Sequence, residues 1–341
     1  MACALRCPRR YWYDNILGLK EANPSEALRI GTAIHNGGET RAKGLDFGAQ
    51  YAAALTGGTL DEWMAAKVFG ILGAYDKTYG EVEDRDYSAM EPEVEFTDVI
   101  DGSRTFEQRG KVDGLAVLKD GRRVVWERKT TSDDVGETSD YWNRLKFNIQ
   151  LLAYAGWVYH ATGELPVCVY DVIRKPQLQP KANIPDLDEN GLPIVLDANG
   201  NRCIKRDGQP KKTADAAKGE RVSGHAETPD EYGSRILAAM GAEPERYFAR
   251  REVGITFDML DEFQRERLGV CRMLLHFAAE ARKAKMPEYA YPRACNPDNC
   301  RSCPFAGLCL NRIHVDETNV PEGFRIAKHE ELSQPQGAAC E

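Results

Sequence analysis

The spacing of apolar positions changes period several times along the chain, and the changes predict its elements. Residues 5–20 (LRCPRRYWYDNILGLK) predict a short aromatic-rich helix ending near Gly18. A second helix is expected from about Ser25 through ALRIGTAIHNGGETRAKG, and a third over TLDEWMAAKVFGILGAYDKTYG. The period then drops to two in EPEVEFTDVI, GKVDGLAVL and RRVVWERKT, which predict three successive strands. Leu145, Ile149, Leu152 and Gly156 return to helical spacing within YWNRLKFNIQLLAYAGWVYHATG, and LPVCVYDVIRK follows as a strand. Residues 175–227 break the pattern with Pro, Gly, Asn and Asp, including the turn signals DENG and DANGN, and predict a hairpin-bearing insertion or a mobile loop. Thr228, Pro229 and Glu231 spell a capping box for a helix, and a long helix over FDMLDEFQRERLGVCRMLLHFAAEARKAK leads to clustered cysteines. The tail after about Asn311 is polar enough to expect loose order, and no internal repeat is seen.

Charges interrupt the second and third strands. Glu127 and Lys129 share one strand face, while Trp126 and Arg128 point to the other. Whether Asp113 joins them depends on the turn LKDGR. A two-residue turn at Asp120-Gly121 would set Asp113 opposite Arg128, on the wrong face. A three-residue turn with Gly121 left-handed pairs Leu118 with Arg122 and sets Asp113 across from Glu127. Taken alone, E-x-K on a strand is most often a solvated ion pair. Two adjacent carboxylates, however, make a hard-oxygen site for Mg²⁺ or Mn²⁺, beside which a lysine could orient a water.

Composition narrows the class. The chain has 341 residues, 42% hydrophobic and 29% charged, with a formal charge of -8, enough for a sizeable core and against a uniformly basic surface. No window approaches the roughly 18 consecutive apolar residues of a membrane span and no signal-peptide core opens the chain, so an intracellular, cytoplasmic protein with no membrane partner is expected. DNA contact would then need local basic groups: Arg9, Arg10, Arg122, Arg123 and Arg128 are candidates, as is the insertion between Arg202 and Arg221, with seven Lys or Arg against three Asp or Glu.

Two short motifs add to the hairpin: GTAIH, with His35 on a helix, and Gln150 with Tyr154, one helical turn apart. Taken in order, C-P-R-R-Y-W-Y, G-T-A-I-H, K-V-D-G, E-R-K-T and Q-L-L-A-Y resemble the PD-(D/E)XK nuclease superfamily, in particular its RecB-like branch. The resemblance spans residues 7 to about 170 and resumes at the C-terminal cysteines. It implies an α/β fold: a restriction-endonuclease-like core with a central mixed β-sheet flanked by helices, plus a helical C-terminal part with a Cys-ligated metal cluster. It also implies that His35, Asp113, Glu127 and the backbone carbonyl of Arg128 hold Mg²⁺ or Mn²⁺. Lys129 would position the attacking water, with Gln150 and Tyr154 supporting the site and the DNA strand. Only six residues precede Cys7, fewer than such relatives carry, so a start upstream is compatible with the pattern.

Cys295, Cys300, Cys303 and Cys309 are dense enough to bind metal, and spacing alone fits Zn²⁺ or an iron-sulfur cluster equally. The resemblance favours iron: AddB-type subunits and CRISPR-adaptation nucleases carry a [4Fe-4S] cluster held by one cysteine before the core and three after it. The matching residues here are Cys7, Cys300, Cys303 and Cys309, leaving Cys295 as an alternative ligand and Cys3 as a spare. Cys168, Cys203, Cys271 and Cys340 have no partner at metal spacing.

The expectation is a metal-dependent deoxyribonuclease, most simply an exonuclease acting on DNA ends or single strands in recombination, repair or phage DNA processing. A helicase, annealing protein or other recombination partner would act beside it. The alternatives are a CRISPR-adaptation type nuclease and an inactive DNA-binding scaffold with a structural metal. The expected organisation is an N-terminal helical segment (1–90), a nuclease core (91–174), the insertion (175–227), C-terminal helices with the cysteines (228–310) and a polar tail (311–341).

Overall fold

A computed structural model of the chain describes residues 2–56, 59–145 and 148–327; Cys340 lies outside them. Short helical turns at Ala2–Arg6, Pro8–Tyr11 and Trp12–Ile16 occupy the predicted first helix, which stops where Gly18 takes φ +71°. Helix α1 (Glu26–Ala42) begins at Ser25, whose hydroxyl accepts from the Leu28 N–H. Helix α2 (Phe47–Thr56) and the long α3 (Glu62–Asp86) follow.

Three strands then run as a meander: β1 (Tyr87–Val99), β2 (Glu107–Leu118) and β3 (Arg123–Thr131). The single helix expected next is two, Asp140–Leu145 and α4 (Ile149–Thr162), because Asn148 takes an extended backbone and caps Gln150 N. Strand β4 (Val167–Arg174), α5 (Pro229–Ala242, with its capping box complete), β5 (Phe248–Val253) and α6 (Phe257–Ala281) complete the core.

The sheet order is β5-β4-β3-β2-β1, with β3 and β4 parallel and the other neighbours antiparallel. The sheet is therefore mixed, and helices cover both faces. Val125, Tyr170 and Val172 pack with Leu151, Tyr154 and Val158 of α4 and Leu260 and Phe263 of α6. Ile173 and Phe248 pack on the opposite side with Ile30 and Ile34 of α1, Ile71 and Tyr75 of α3 and Ile236 of α5. Strand β5 is a departure from the sequence pattern: FARREV carries too many charges to stand out as a strand, yet it pairs along β4 from beyond the insertion. The stretch 91–174 thus holds four of the five strands.

Residues 175–227 form hairpins. Ile184–Pro185 pairs Gly224–His225, and Val195–Leu196 pairs Arg221–Val222. Three tight turns are closed by Gly191, Gly200 and Gly208, all at positive φ, and the Asp188 and Asp197 carboxylates accept from the turn N–H groups. The chain ends also meet. Trp12, Tyr13 and Leu19 share a core with Tyr291, Phe305, Leu308 and Val315, and Leu19–Glu21 pairs antiparallel with Phe324–Ile326. The expected loose tail is therefore packed as far as Ala327, because Val315, Phe324 and Ile326 are apolar and find that core.

Candidate active site

The turn between β2 and β3 has three residues: Gly121 takes φ +92°, its N–H donates to Leu118 O (2.9 Å) and Leu118 N–H donates to Arg122 O (2.9 Å). The ladder runs Val117–Arg123, Ala116–Val124, Leu115–Val125, Gly114–Trp126, a register that continued by one step puts Asp113 opposite Glu127. The ladder stops there. Instead of a main-chain carbonyl, the Asp113 carboxylate takes the Arg128 N–H, at 2.7 Å from Oδ2.

His35 comes to the other oxygen. It sits mid-way along α1, and its Nδ1 is 3.5 Å from Asp113 Oδ1. Glu127 and Lys129 lie side by side, each 2% exposed, with Lys129 Nζ 2.9 Å from Glu127 Oε1. Lys129 also donates to Gln150 Oε1 (2.9 Å), Gln150 Nε2 donates to the Tyr154 hydroxyl, and that hydroxyl donates to Lys111 O (2.8 Å). The one-turn spacing of Gln150 and Tyr154 on α4 thus becomes a relay of hydrogen bonds ending on β2.

Burial sets the electrostatics. It pushes Glu127 up to about 7, although Lys129 pulls the other way. Burial would also raise Asp113, but His35, the Arg128 N–H and Lys129 together hold it below the usual carboxylate range. For His35, burial lowers the pKa, and the Asp113 charge and hydrogen bond more than offset it, so the net shift is upward. Tyr154 is raised by burial and by Glu127.

Among the described residues no three His, Cys, Asp or Glu side chains are gathered as a ready metal site. Their oxygens are engaged instead: Glu127 Oε1 with Lys129 and Asp113 Oδ2 with Arg128 N. One donor is left over, since Glu127 Oε2 is buried and makes no hydrogen bond within the described residues. An orphaned buried carboxylate oxygen is costly, and a hard cation would satisfy it. The donor set therefore fits a divalent ion.

The model of the PD-(D/E)XK nuclease superfamily matches residues 1–310. The chain belongs to that superfamily. In this PD-(D/E)XK protein the five-stranded mixed sheet flanked by helices is consistent with a restriction-endonuclease-like fold, and family membership indicates a nuclease, a phosphodiester hydrolase of a kind that typically uses Mg²⁺ or Mn²⁺. No curated protein matches the chain. Among solved structures, "Crystal structure of SSO0001" is similar at 14% identity, covering 69% of this chain and 82% of that one, with a TM-score of 0.21. No helix among the described residues is long and apolar enough to cross a membrane.

Several basic residues are placed differently from expectation. Arg9 and Arg10 are buried rather than facing solvent: Arg9 Nε donates to Tyr291 O (2.9 Å) and its guanidinium lies 5.3 Å from the Tyr289 ring centre, so Arg9 is spent joining the chain ends. Arg128 is likewise buried, on the face away from Glu127. Arg122 and Arg123 are exposed at the hairpin tip, about 13 Å along the strand from Glu127, with Arg122 paired to Asp120 (2.8 Å). In the insertion, Arg202, Lys211 and Lys218 pair with Asp188, Glu220 and Asp215.

Cys7, Cys295, Cys300, Cys303 and Cys309 line one cavity, together with Arg9 and Arg10. Around it the ends are tied directly, with Arg6 Nε donating to Asn299 Oδ1 (3.2 Å) and Asn299 Nδ2 to Arg6 O (3.1 Å). Cys3, Cys168 and Cys271 are buried elsewhere.

Tyr75, Asp171 and Arg250, which the pattern did not single out, form a network behind the site. A visible signal was Asp171 alone among apolar neighbours in VCVYDVI.

Proposed function

We propose that this protein is a Mg²⁺- or Mn²⁺-dependent deoxyribonuclease, acting as an exonuclease on DNA ends or single strands in recombination, repair or phage DNA processing. The observation that carries this reading is the buried Glu127–Lys129 pair with one carboxylate oxygen left over, set beside Asp113 and His35. His35, Asp113, Glu127 and the Arg128 carbonyl would hold the cation. When bound, it supplies polarisation of the phosphate and a lowered pKa for water. The chain's own part is orientation. Lys129, held by Glu127 and Gln150, is placed to orient a water or a phosphate oxygen. Gln150 and Tyr154 keep that ammonium from swinging away, and burial excludes competing solvent. Water oxygen bonds to phosphorus and releases a proton to solvent, the P–O ester bond breaks, and the leaving alkoxide takes up a proton from solvent.

Cys7, Cys300, Cys303 and Cys309 would hold a [4Fe-4S] cluster, with Cys295 as alternative ligand and Zn²⁺ as alternative metal; all five thiols line one cavity, although among the described residues no three of them are gathered at metal-binding distance. Its role would be a staple over chain ends that already pack together. Arg9 and Arg10 beside the thiols would offset the negative charge of the ligands. Exposed Arg122 and Arg123 remain the DNA-contact candidates on the hairpin.

Purified protein incubated with end-labelled single- and double-stranded DNA and Mg²⁺ or Mn²⁺ tests the activity. Degradation from ends by the wild type, lost in Asp113→Ala and Lys129→Ala, is expected; equal degradation by all three sinks the mechanism, and a wild type that binds DNA without cutting it leaves a DNA-binding scaffold. A brown protein absorbing at about 400 nm supports iron, and a colourless zinc-loaded one supports Zn²⁺.

A further inference from the structure

The sheet face turned away from Glu127 and Lys129 carries a second charged row. Arg128, Asp171 and Arg250 are direct register partners on three adjacent strands, β3, β4 and β5. Asp171 is fully buried; its Oδ2 accepts from Arg128 Nε (3.0 Å) and from the Tyr75 hydroxyl, and its Oδ1 accepts from Arg250 Nε (3.0 Å). The Tyr75 oxygen in turn accepts from Arg250 Nη2 (2.6 Å) and Arg128 Nη2 (3.3 Å). Arg250 lies over the Tyr79 and Trp126 rings at 3.6 and 4.5 Å. Well-packed apolar side chains would commonly serve stability as well as such a desolvated row. What apolar side chains lack is direction.

Two contacts identify what the row directs. Arg128 stands between Glu127 and Lys129, and its own main-chain N–H holds Asp113. Its guanidinium meanwhile fills a notch in α1 at Gly38, where a Cβ would come within 1.5 Å of Arg128 Nη1. Gly38 lies about one turn beyond His35. One side chain thus sets both the rotation of β3 against Asp113 and the approach of the helix that carries His35.

We propose that Asp171 is a positioning residue of the nuclease site: by locking the Arg128 guanidinium into the Gly38 notch, with Tyr75 and Arg250 as partners, it holds Asp113, Glu127 and His35 in mutual register. The inference rests on the nuclease reading above. The test compares wild type with Tyr75→Phe and Asp171→Asn, and with Asp98→Asn as control. Asp98 is also buried, at 7% exposed, and paired with Arg267 (2.9 Å), but lies five ladder steps beyond the β1 position that faces Asp113.

Measured are kcat and KM on end-labelled DNA, Mn²⁺ affinity without DNA by titration calorimetry, and melting temperature. Tyr75→Phe is expected to lower kcat and Mn²⁺ affinity about tenfold with KM for DNA unchanged, and Asp171→Asn about a hundredfold, the range seen when groups supporting a metal ligand are removed. Asp98→Asn lowers the melting temperature and leaves Mn²⁺ affinity alone. If Asp171→Asn does not fold, Tyr75→Phe decides. Unchanged Mn²⁺ affinity and kcat in Tyr75→Phe overturns the proposal, as does an equal loss of affinity in Asp98→Asn. A wild type that binds Mn²⁺ but cuts no DNA overturns the nuclease reading instead, and the Mn²⁺ affinities of the variants still judge the positioning role.

Discussion

Replacing Gly121 with alanine separates two ways of aligning the carboxylates of Asp113 and Glu127. Gly121 holds φ +92° in the β2–β3 turn, and nothing lies within 4 Å of where a Cβ would be, so the penalty is backbone strain without a clash. That strain is about 1–2 kcal/mol. The alternative open to the chain is a slip of β3 by one residue into a turn that needs no left-handed alanine. A slip would have to break the parallel pairing of Val124–Thr131 with Val167–Arg174 and turn Val124, Val125 and Trp126, each at most 2% exposed, to the opposite faces. At about 1.5–3 kcal/mol for each large apolar side chain displaced from the core, the slip costs several times the strain. The variant should therefore keep the register and absorb the strain locally. Calorimetry should show a melting temperature lower by about 1–3 °C for a chain of this size, and end-labelled DNA should be cut with kcat and KM within about twofold of wild type. A folded Gly121→Ala protein with activity as low as Asp113→Ala would show that the turn, and not the pairing with β4, aligns Asp113 with Glu127.

The buried Glu127 makes metal-free stability depend on pH. Its folded pKa, about 7, stands above the ordinary 4.5, so the folded state keeps a proton that the unfolded chain has released, and stability falls as pH rises between those values. His35, also raised, acts in the same direction. Thermal melts from pH 5 to 7 should show this decline, and Glu127→Gln should flatten it; parallel curves for the two proteins would contradict the burial argument. Tyr154→Phe removes the hydroxyl that links Gln150 to Lys111 O and should cost about 1 kcal/mol in urea denaturation, with reduced kcat as Gln150 loosens its hold on Lys129. Arg9→Ala should lower the melting temperature and leave DNA affinity in a filter-binding assay unchanged, since Arg9 faces Tyr291 and Tyr289; a loss of affinity at unchanged stability would restore it as a DNA contact. Arg312 sits at φ +55° after the helix Ala306–Leu310, where Ile313 N–H donates back to Leu308 O, so Arg312→Gly should stabilise the fold by about 0.5–1 kcal/mol, and destabilisation would count against strain there.

Much of the site was legible because alternation and helical spacing are local. Period two put Glu127 and Lys129 on one face and Arg128 on the other, and one helical turn put Gln150 beside Tyr154. The choice between two hairpin registers could only be stated from residues 118–122, since both turns accept Asp and Gly. The strand on the far side of β3 decides the matter by pairing along eight residues, Val124–Thr131. For the same reason β5 was invisible: its charges look solvated until Arg250 is seen reaching Asp171 from the neighbouring strand.

Which atoms could do chemistry is readable from residue order, because functional groups and short-range periodicity are properties of the chain. Tertiary structure alone decided their solvation and their partners. Arg9, Arg10 and Arg128 carry the same charge as Arg122 and Arg123, yet the first three are buried and the others exposed, since burial depends on elements hundreds of residues apart, such as Arg9 and Tyr291. Glu127 titrates away from an ordinary glutamate for the same reason: α4 covers it, and no local pattern around Glu127 specifies that cover.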